Sequence, residues 1–185
     1  VLGYKSDVLK NYLIKNHKDI EFTFFTNDEY KCSNSAYSFY LAKDFIKNKS
    51  YIHLNCDVIF SKELLAKLIK SRHTNVIALS KKLNLTNNME QVKLDKKNKI
   101  IKMDNMQFDE AIFKAYGLAK LSNESSNYIT NKIEKYLDQK NKNMNYYGII
   151  RQAVQDIDYY GVDCKDQFLL EVNTLNDLDI ANKIL

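Results

Sequence analysis

Proline is absent from the 185 residues, glycine occurs four times, cysteine three times and arginine twice. Each scarcity excludes something. Gly3, Gly117, Gly148 and Gly161 lie far apart, so no glycine-rich loop can wrap successive backbone N–H groups around a phosphate. Cys32, Cys56 and Cys164 are odd in number and lack the C-x-x-C spacing of zinc or dithiol sites, and they read as reduced thiols. The net charge of +5 is carried by scattered lysines, with Arg72 and Arg151 the only arginines. Base reading and forked phosphate contacts favour arginine, which argues against nucleic acid as the primary partner. The missing proline, beside abundant Lys, Asn and Ile, reads as compositional bias rather than function. No apolar run approaches the roughly 18 residues that cross a bilayer. The start, Val1-Leu2-Gly3-Tyr4, lacks the basic-then-apolar pattern of a signal peptide. A cytoplasmic protein without membrane insertion is expected.

What is present is enough for a core. With 45% hydrophobic and 12% aromatic residues, the chain is expected to form a single domain over residues 1–185. Strand-like and helix-like patterns alternate, which predicts an α/β fold: a Rossmann-like mixed, mostly parallel sheet with helices on both faces. A helix capped by Ser6 would carry Val8, Leu9, Tyr12 and Leu13 on one side. Residues 21–25 read as a short buried strand. Tyr37, Tyr40, Leu41 and Phe45 fall at helical spacing over residues 35–46, and residues 51–54 form a strand ending at Asn55-Cys56-Asp57. Ser61 can cap a helix bearing Leu64, Leu65, Leu68 and Ile69. Residues 75–80 return as a strand, and residues 91–94 and 99–103 read as an antiparallel hairpin. Residues 111–121 continue extended. Helices at 125–138 and 146–157, strands at 159–164 and 168–172, and a helix opened by Thr174-x-x-Asp177 complete the chain. That last helix would turn Leu175, Leu178, Ala181, Ile184 and Leu185 inward.

The clearest chemical signal is an acid directly after an apolar strand, in Ile52-His53-Leu54-Asn55-Cys56-Asp57. Ligands of open α/β sheets sit beyond the carboxyl ends of strands, where a carboxylate suits magnesium, a hard cation that takes oxygen ligands. An Asp after a strand also serves plainly as a turn or cap. A second strand, Phe168-Leu169-Leu170-Glu171-Val172, ends at Asn173-Thr174, which could complete such a site or simply start a helix. His53 reads as a satisfied core histidine.

Several blocks together resemble the nucleotidyltransferases that act on sugar phosphates, phosphocholine and inositol phosphate. Asn55-Cys56-Asp57-Val58-Ile59-Phe60 resembles their N-G-D-x-x-F block, and Glu171-Val172-Asn173-Thr174-Leu175-Asn176-Asp177-Leu178 resembles E-I-D-T-x-E-D-L. Asn34-Ser35-Ala36-Tyr37-Ser38-Phe39 resembles an N-x-x-x-S-L stretch of the cytidylyltransferases. Residues 100–103 and 116–120 resemble the hairpin and glycine-bearing strand that shape the acceptor pocket.

The resemblance implies a GT-A-like nucleotidyltransferase fold. It also implies a magnesium-dependent attack of a small phosphorylated alcohol or phosphonate on the α-phosphorus of a nucleoside triphosphate, CTP favoured, with release of pyrophosphate. Asp57 would be the catalytic metal ligand and Asn173 the second, where the family commonly has Asp. Asn34, Ser38, Asn55, Gly117, Tyr146, Tyr147 and Glu171 would bind nucleotide or acceptor. Asn34 and Ser38 can equally cap a helix, Gly117 can mark a bulge, and Tyr146 and Tyr147 can be core aromatics. Gly148 stands where the phosphocholine enzymes have an acid, which argues against a choline-like acceptor. Without the family's glycine-rich loop, the chain is expected to be N-terminally incomplete, missing its first strand and inactive alone. A hexose-1-phosphate nucleotidyltransferase, a metal-dependent glycosyltransferase and a catalytically degenerate module are the alternatives. Oligomeric state is left open, a homodimer included.

Overall fold

The computed structural model describes residues 1–81 and 84–184. In chain order it contains α1 (Ser6–Asn16), α2 (Ser35–Tyr40), α3 (Lys43–Ile46), β1 (Tyr51–Leu54), β2 (Val58–Phe60), α4 (Lys62–Lys70), β3 (Val76–Lys81) and β4 (Gln91–Leu94). There follow β5 (Ile100–Asp104), β6 (Phe113–Leu121), α5 (Asn123–Asp138), α6 (Tyr146–Asp156), β7 (Tyr160–Asp163), β8 (Leu169–Glu171) and α7 (Leu175–Ile184). The chain divides into two compact units: Val1–Asn48 with Ser126–Ile150, and Lys49–Ser125 with Arg151–Leu185.

The second unit holds the sheet. Its strand order is β5-β4-β6-β3-β7, and β1 also pairs with β6. Nine-residue β6 is the spine, buried from Lys114 to Ala119 because both of its faces and both of its edges are covered. One edge takes β3 along its length. The other is divided: β4 pairs at Phe113 and Lys114, and β1 at Leu118 to Leu121. Between them the chain bends away, and single bonds from Ala115 N–H to Glu90 O (2.7 Å) and from Asn55 N–H to Gly117 O (2.7 Å) hold the two departing segments to β6. Leu64 and Leu68 of α4 pack on Val76, Ala78, Leu118 and Cys164, all buried. Burial of such side chains contributes about 1.5–3 kcal/mol each. A separate ribbon joins β2 to β8, antiparallel, with Val58 opposite Glu171.

The sheet is mixed, but it is not mostly parallel: among the described strands only β3 and β7 run parallel. The cause is β6. It follows a hairpin, so it runs against β1, β3 and β4, and it is the strand most others pair with.

Local signals fared unevenly. Ser61 Oγ accepts from Leu64 N–H at 3.2 Å, as a cap should. The hairpin between β4 and β5 closes through Asp95, whose Oδ1 accepts from Lys97 and Lys99 N–H, with Asn98 at φ 64°. Ser6, by contrast, is the first helical residue rather than the cap. Lys5 precedes it in the left-handed region, φ 51°, and makes no side-chain cap bond. The helix expected over residues 35–46 is broken at Leu41 and Ala42, where Ala42 N–H bonds to Phe39 O three residues back and tightens the last turn.

Residues 21–25 form no strand. Thr26 makes one parallel bridge with Leu2, the only pairing partner among the described residues. No residue of α1 is buried. On α7 only Ala181 is buried, whereas Leu175, Leu178 and Ile184 are exposed, because nothing among the described residues covers that side. Leu185 lies outside the described residues.

Candidate functional site

Asp57 sits at a junction. The strand β1 ends at Leu54, Asn55 is held to Gly117 of β6, and two residues later β2 enters the ribbon with β8. Val172 N–H donates to Asp57 O at 2.8 Å, so the end of β8 runs directly beside Asp57 and leads into Asn173. The ribbon is tied back to the sheet at its other end. Lys114 Nζ of β6 donates to Glu171 Oε2 of β8 at 2.5 Å. Asp57 therefore stands inside a closed circuit of β6, Asn55, β2, β8 and the Lys114–Glu171 pair.

Within that circuit the Asp57 carboxylate is incomplete. Its Oδ1 is buried, with no hydrogen-bond partner among the described residues. Leaving such an acceptor unpaired is costly, more so for a charged oxygen. Asn173 is exposed, and its Nδ2 donates to Glu171 Oε2 at 3.0 Å, which turns its carbonyl oxygen outward from that bond. Glu171 thus accepts from both Lys114 and Asn173, and its charge is already compensated. The unpaired oxygen of Asp57 and the carbonyl of Asn173, on adjoining strand ends, are the kind of oxygen ligand that a hard divalent cation takes. Among the described residues no three His, Cys, Asp or Glu side chains converge into a self-sufficient metal cage. A cation here would complete its shell with substrate oxygens and water, which is usual for magnesium.

Asn55 and Gly117 form the floor. A β-carbon on Gly117 would lie 2.2 Å from Asn55 Cγ, so only glycine lets the Asn55 side chain pack against β6. Asn55 Oδ1 lies 3.0 Å from His53 Nε2, which fixes the amide from behind. Burial pushes the imidazole down from its ordinary value to about 4, against the opposing pull of the Asn55 bond, so His53 is neutral at neutral pH.

Capping explains the exit from the site. Thr174 Oγ1 accepts from Asp177 N–H at 3.2 Å, and Asp177 Oδ2 accepts from Thr174 N–H (2.8 Å) and Asn173 N–H (3.1 Å). This reciprocal box starts α7 directly after Asn173 and fixes that residue's backbone. The Thr174 hydroxyl, followed by the backbone N–H groups, holds the Asp177 carboxyl below its ordinary range.

Four of the expected residues belong to the first unit. Asn34 caps α2, its Oδ1 accepting from Ser35 N–H at 2.7 Å, while its own N–H donates to Lys142 O. Ser38 Oγ accepts from Nδ2 of the buried Asn27 at 2.9 Å. Tyr146 N–H donates to Ser35 Oγ at 2.8 Å, and its ring lies 4.7 Å from that of Phe39. Tyr146 and Tyr147 are both buried, with centroids 6.0 Å apart, edge to face. The first-turn amides of α2 are occupied by this stitching, Ala36 N–H going to Met144 O.

Two residues of the second unit escaped the sequence reading. Lys114 is a lysine within an otherwise apolar central strand, and it is only 8% exposed. Glu90 precedes β4, and its Oε2 is buried 3.6 Å from Arg151 Nη1, too far for a hydrogen bond. Burial raises the Glu90 carboxyl, with Arg151 opposing. A lysine inside an apolar strand was the available signal for the first. Nothing local marked the second.

No family model matches the chain. The CTP:phosphoglutamine cytidylyltransferase of Campylobacter jejuni subsp. jejuni serotype O:2 is 36% identical over 84 residues, 43% of this chain and 32% of that protein. The chain thus spans about a third of the length of the curated relative it matches. Among solved structures, the CTP:phosphocholine cytidylyltransferase of Streptococcus pneumoniae superposes with a TM-score of 0.73 at 15% identity, covering 95% of this chain and 74% of that one. The inositol-1-phosphate CTP transferase of T. maritima superposes at 0.72 with 17% identity, covering 95% and 69%. The chain therefore has the fold of the nucleotidyltransferases and is similar in sequence to a cytidylyltransferase.

Proposed function

Given a nucleotidyltransferase fold with an incomplete carboxylate at its strand ends, we propose that the protein transfers CMP from CTP to a small phosphorylated acceptor, releasing pyrophosphate. The observation that carries this reading is the buried, unpartnered Oδ1 of Asp57 beside the Asn173 strand end. The preference for CTP rests on the named activities of the similar proteins, and a polar phosphorylated acceptor is supported by the phosphoglutamine of the Campylobacter relative.

The chemistry is a displacement at phosphorus. An oxygen of the acceptor phosphate forms a bond to the α-phosphorus as the bond to pyrophosphate breaks, and no protein atom joins the substrate covalently. The site's task is to position two anions and offset their charge. Asp57 and Asn173 would hold magnesium, which supplies charge neutralisation at the phosphate oxygens when bound. Asn55, clamped between His53 and Gly117, keeps the strand end that carries Asp57 rigid. Lys114 already pairs with Glu171, so Asp57 would be the carboxylate available to a cation. With Asn rather than Asp at position 173, one negative charge fewer faces the metal, and weaker magnesium binding is expected.

The test is pyrophosphate release by the full-length protein from CTP, UTP, dTTP and ATP with magnesium, across a panel of phosphorylated small molecules. Acceptor-dependent release with CTP above the other nucleotides is the expected result. Release with none of them contradicts the reading.

A further inference from the structure

Beside the Asp57 junction the split edge of β6 opens a cleft of about 400 Å³ in the second unit, lined by Asn87, Asn88, Glu90, Lys114, Ala115 and Asn173 among others. Its walls are fixed rather than draped. Asn87 Oδ1 accepts from Gln107 N–H (2.9 Å), Asn88 N–H donates to Asn105 O (2.8 Å), and the side chain of buried Gln91 donates to Thr86 O (3.0 Å). Asn88 takes φ 72°, a left-handed turn that asparagine tolerates. Ala115 N–H donates to Glu90 O, so the residue that ends this wall is pinned to the central strand.

The chemistry of the lining is one-sided. No aromatic side chain is among the lining residues, so a quaternary ammonium would find no π face there. What the cleft does contain is an under-used carboxylate. Among the described residues, Glu90 Oε2 is shut away opposite Arg151 without a hydrogen bond. A buried acid held by one imperfect ion pair leaves acceptor capacity for an incoming N–H. Lys114 and Glu171, paired with each other, also line the cleft, and Asn173 belongs to the strand end beside Asp57.

We propose that this cleft receives the head group of the acceptor and that Glu90 selects heads bearing an N–H donor, an amine or an amide, over heads that lack one. The proposal rests on the acceptor-binding role of the Asp57 region argued above. It assigns Glu90 as a specificity residue, with the walls at Asn87 and Asn88 limiting the head to a small polar group.

Phosphoethanolamine and phosphocholine share phosphate and spacer and differ at the nitrogen, which carries three hydrogens in one and three methyl groups in the other, and the Glu90→Gln comparison separates the hydrogen bond from the added bulk. Titration calorimetry on the full-length protein with magnesium and CTP would compare both probes against wild type and Glu90→Gln, with CTP alone and thermal melting as controls. Wild type is expected to favour phosphoethanolamine by about tenfold or more, the worth of a charged hydrogen bond. In Glu90→Gln that preference should shrink several-fold while CTP affinity stays as in wild type, and melting should fall because Arg151 loses its charged partner. Equal binding of the two probes by wild type, or an undiminished preference in Glu90→Gln, overturns the proposal while leaving nucleotide binding intact. Absence of CTP binding in wild type overturns the functional reading and this proposal with it.

Discussion

Asn55 occupies the space that a side chain on Gly117 would need: an added β-carbon would fall 2.2 Å from Asn55 Cγ and 2.4 Å from its Cβ. The contact couples the loop carrying Asp57 to the central strand, so Gly117→Ala should lower stability by about 1–3 kcal/mol through overpacking. Shortening Asn55 to alanine leaves its β-carbon in place and should not rescue the variant, whereas Asn55→Gly should. Denaturant melts of the three combinations check this.

Removing one partner of the Lys114–Glu171 pair strands a mostly buried charge. Lys114→Met should therefore cost about 3 kcal/mol or more, and Lys114→Met with Glu171→Leu should recover much of that loss. A double-mutant cycle on urea unfolding gives the coupling. Additive losses would mean that the 2.5 Å contact contributes little.

His53 gives the stability a pH dependence of known sign. Its folded-state value, about 4, lies below its ordinary value, so between roughly pH 6.5 and 4 the unfolded chain binds the proton and the folded one does not. Stability is thus full above that window and falls as pH drops through it, by about 1.4 kcal/mol per unit for this one group. The slope should flatten in His53→Gln relative to wild type over the same range.

Asp177 acts at lower pH with a related sign. Its carboxyl is held below the ordinary range by Thr174 and the adjacent N–H groups, so the bonding it provides is present above pH 4 and lost on further acidification. Amide exchange should quicken in α7 before the sheet as pH falls below 4, and Thr174→Ala should produce the same quickening at neutral pH.

The parts of this fold that could be read from residues alone were those in which one short segment decides its own structure. Thr174-x-x-Asp177 is such a case, since a capping box needs only its own four residues, and so is Ser61 before α4. The strand that delivers Asp57 was legible for the same reason, as an apolar run interrupted by an acid. Strand direction was not. That β3 meets antiparallel β6 on one edge and parallel β7 on the other depends on where distant segments return the chain, and no local pattern records it. The break at Leu41 and Ala42 is invisible to apolar spacing, which continues through it. Glu90 was silent because its environment is made by Arg151, 61 positions along the chain. Lys114 could have been noticed, since a lysine amid Phe113, Ala115, Tyr116 and Leu118 demands a buried partner.

The proposed magnesium-binding role of Asp57 rests on its unpaired oxygen. Its most direct test is CTP-dependent pyrophosphate release by the full-length protein as magnesium is titrated, wild type against Asp57→Asn, with melting temperatures recorded for both. Asp57→Asn keeps the shape and removes the charge, and it relieves a buried unpaired carboxylate. That role predicts a fold at least as stable as wild type, a right-shifted magnesium requirement and a rate lower by about a hundredfold or more. Magnesium dependence and rate unchanged in Asp57→Asn would contradict it.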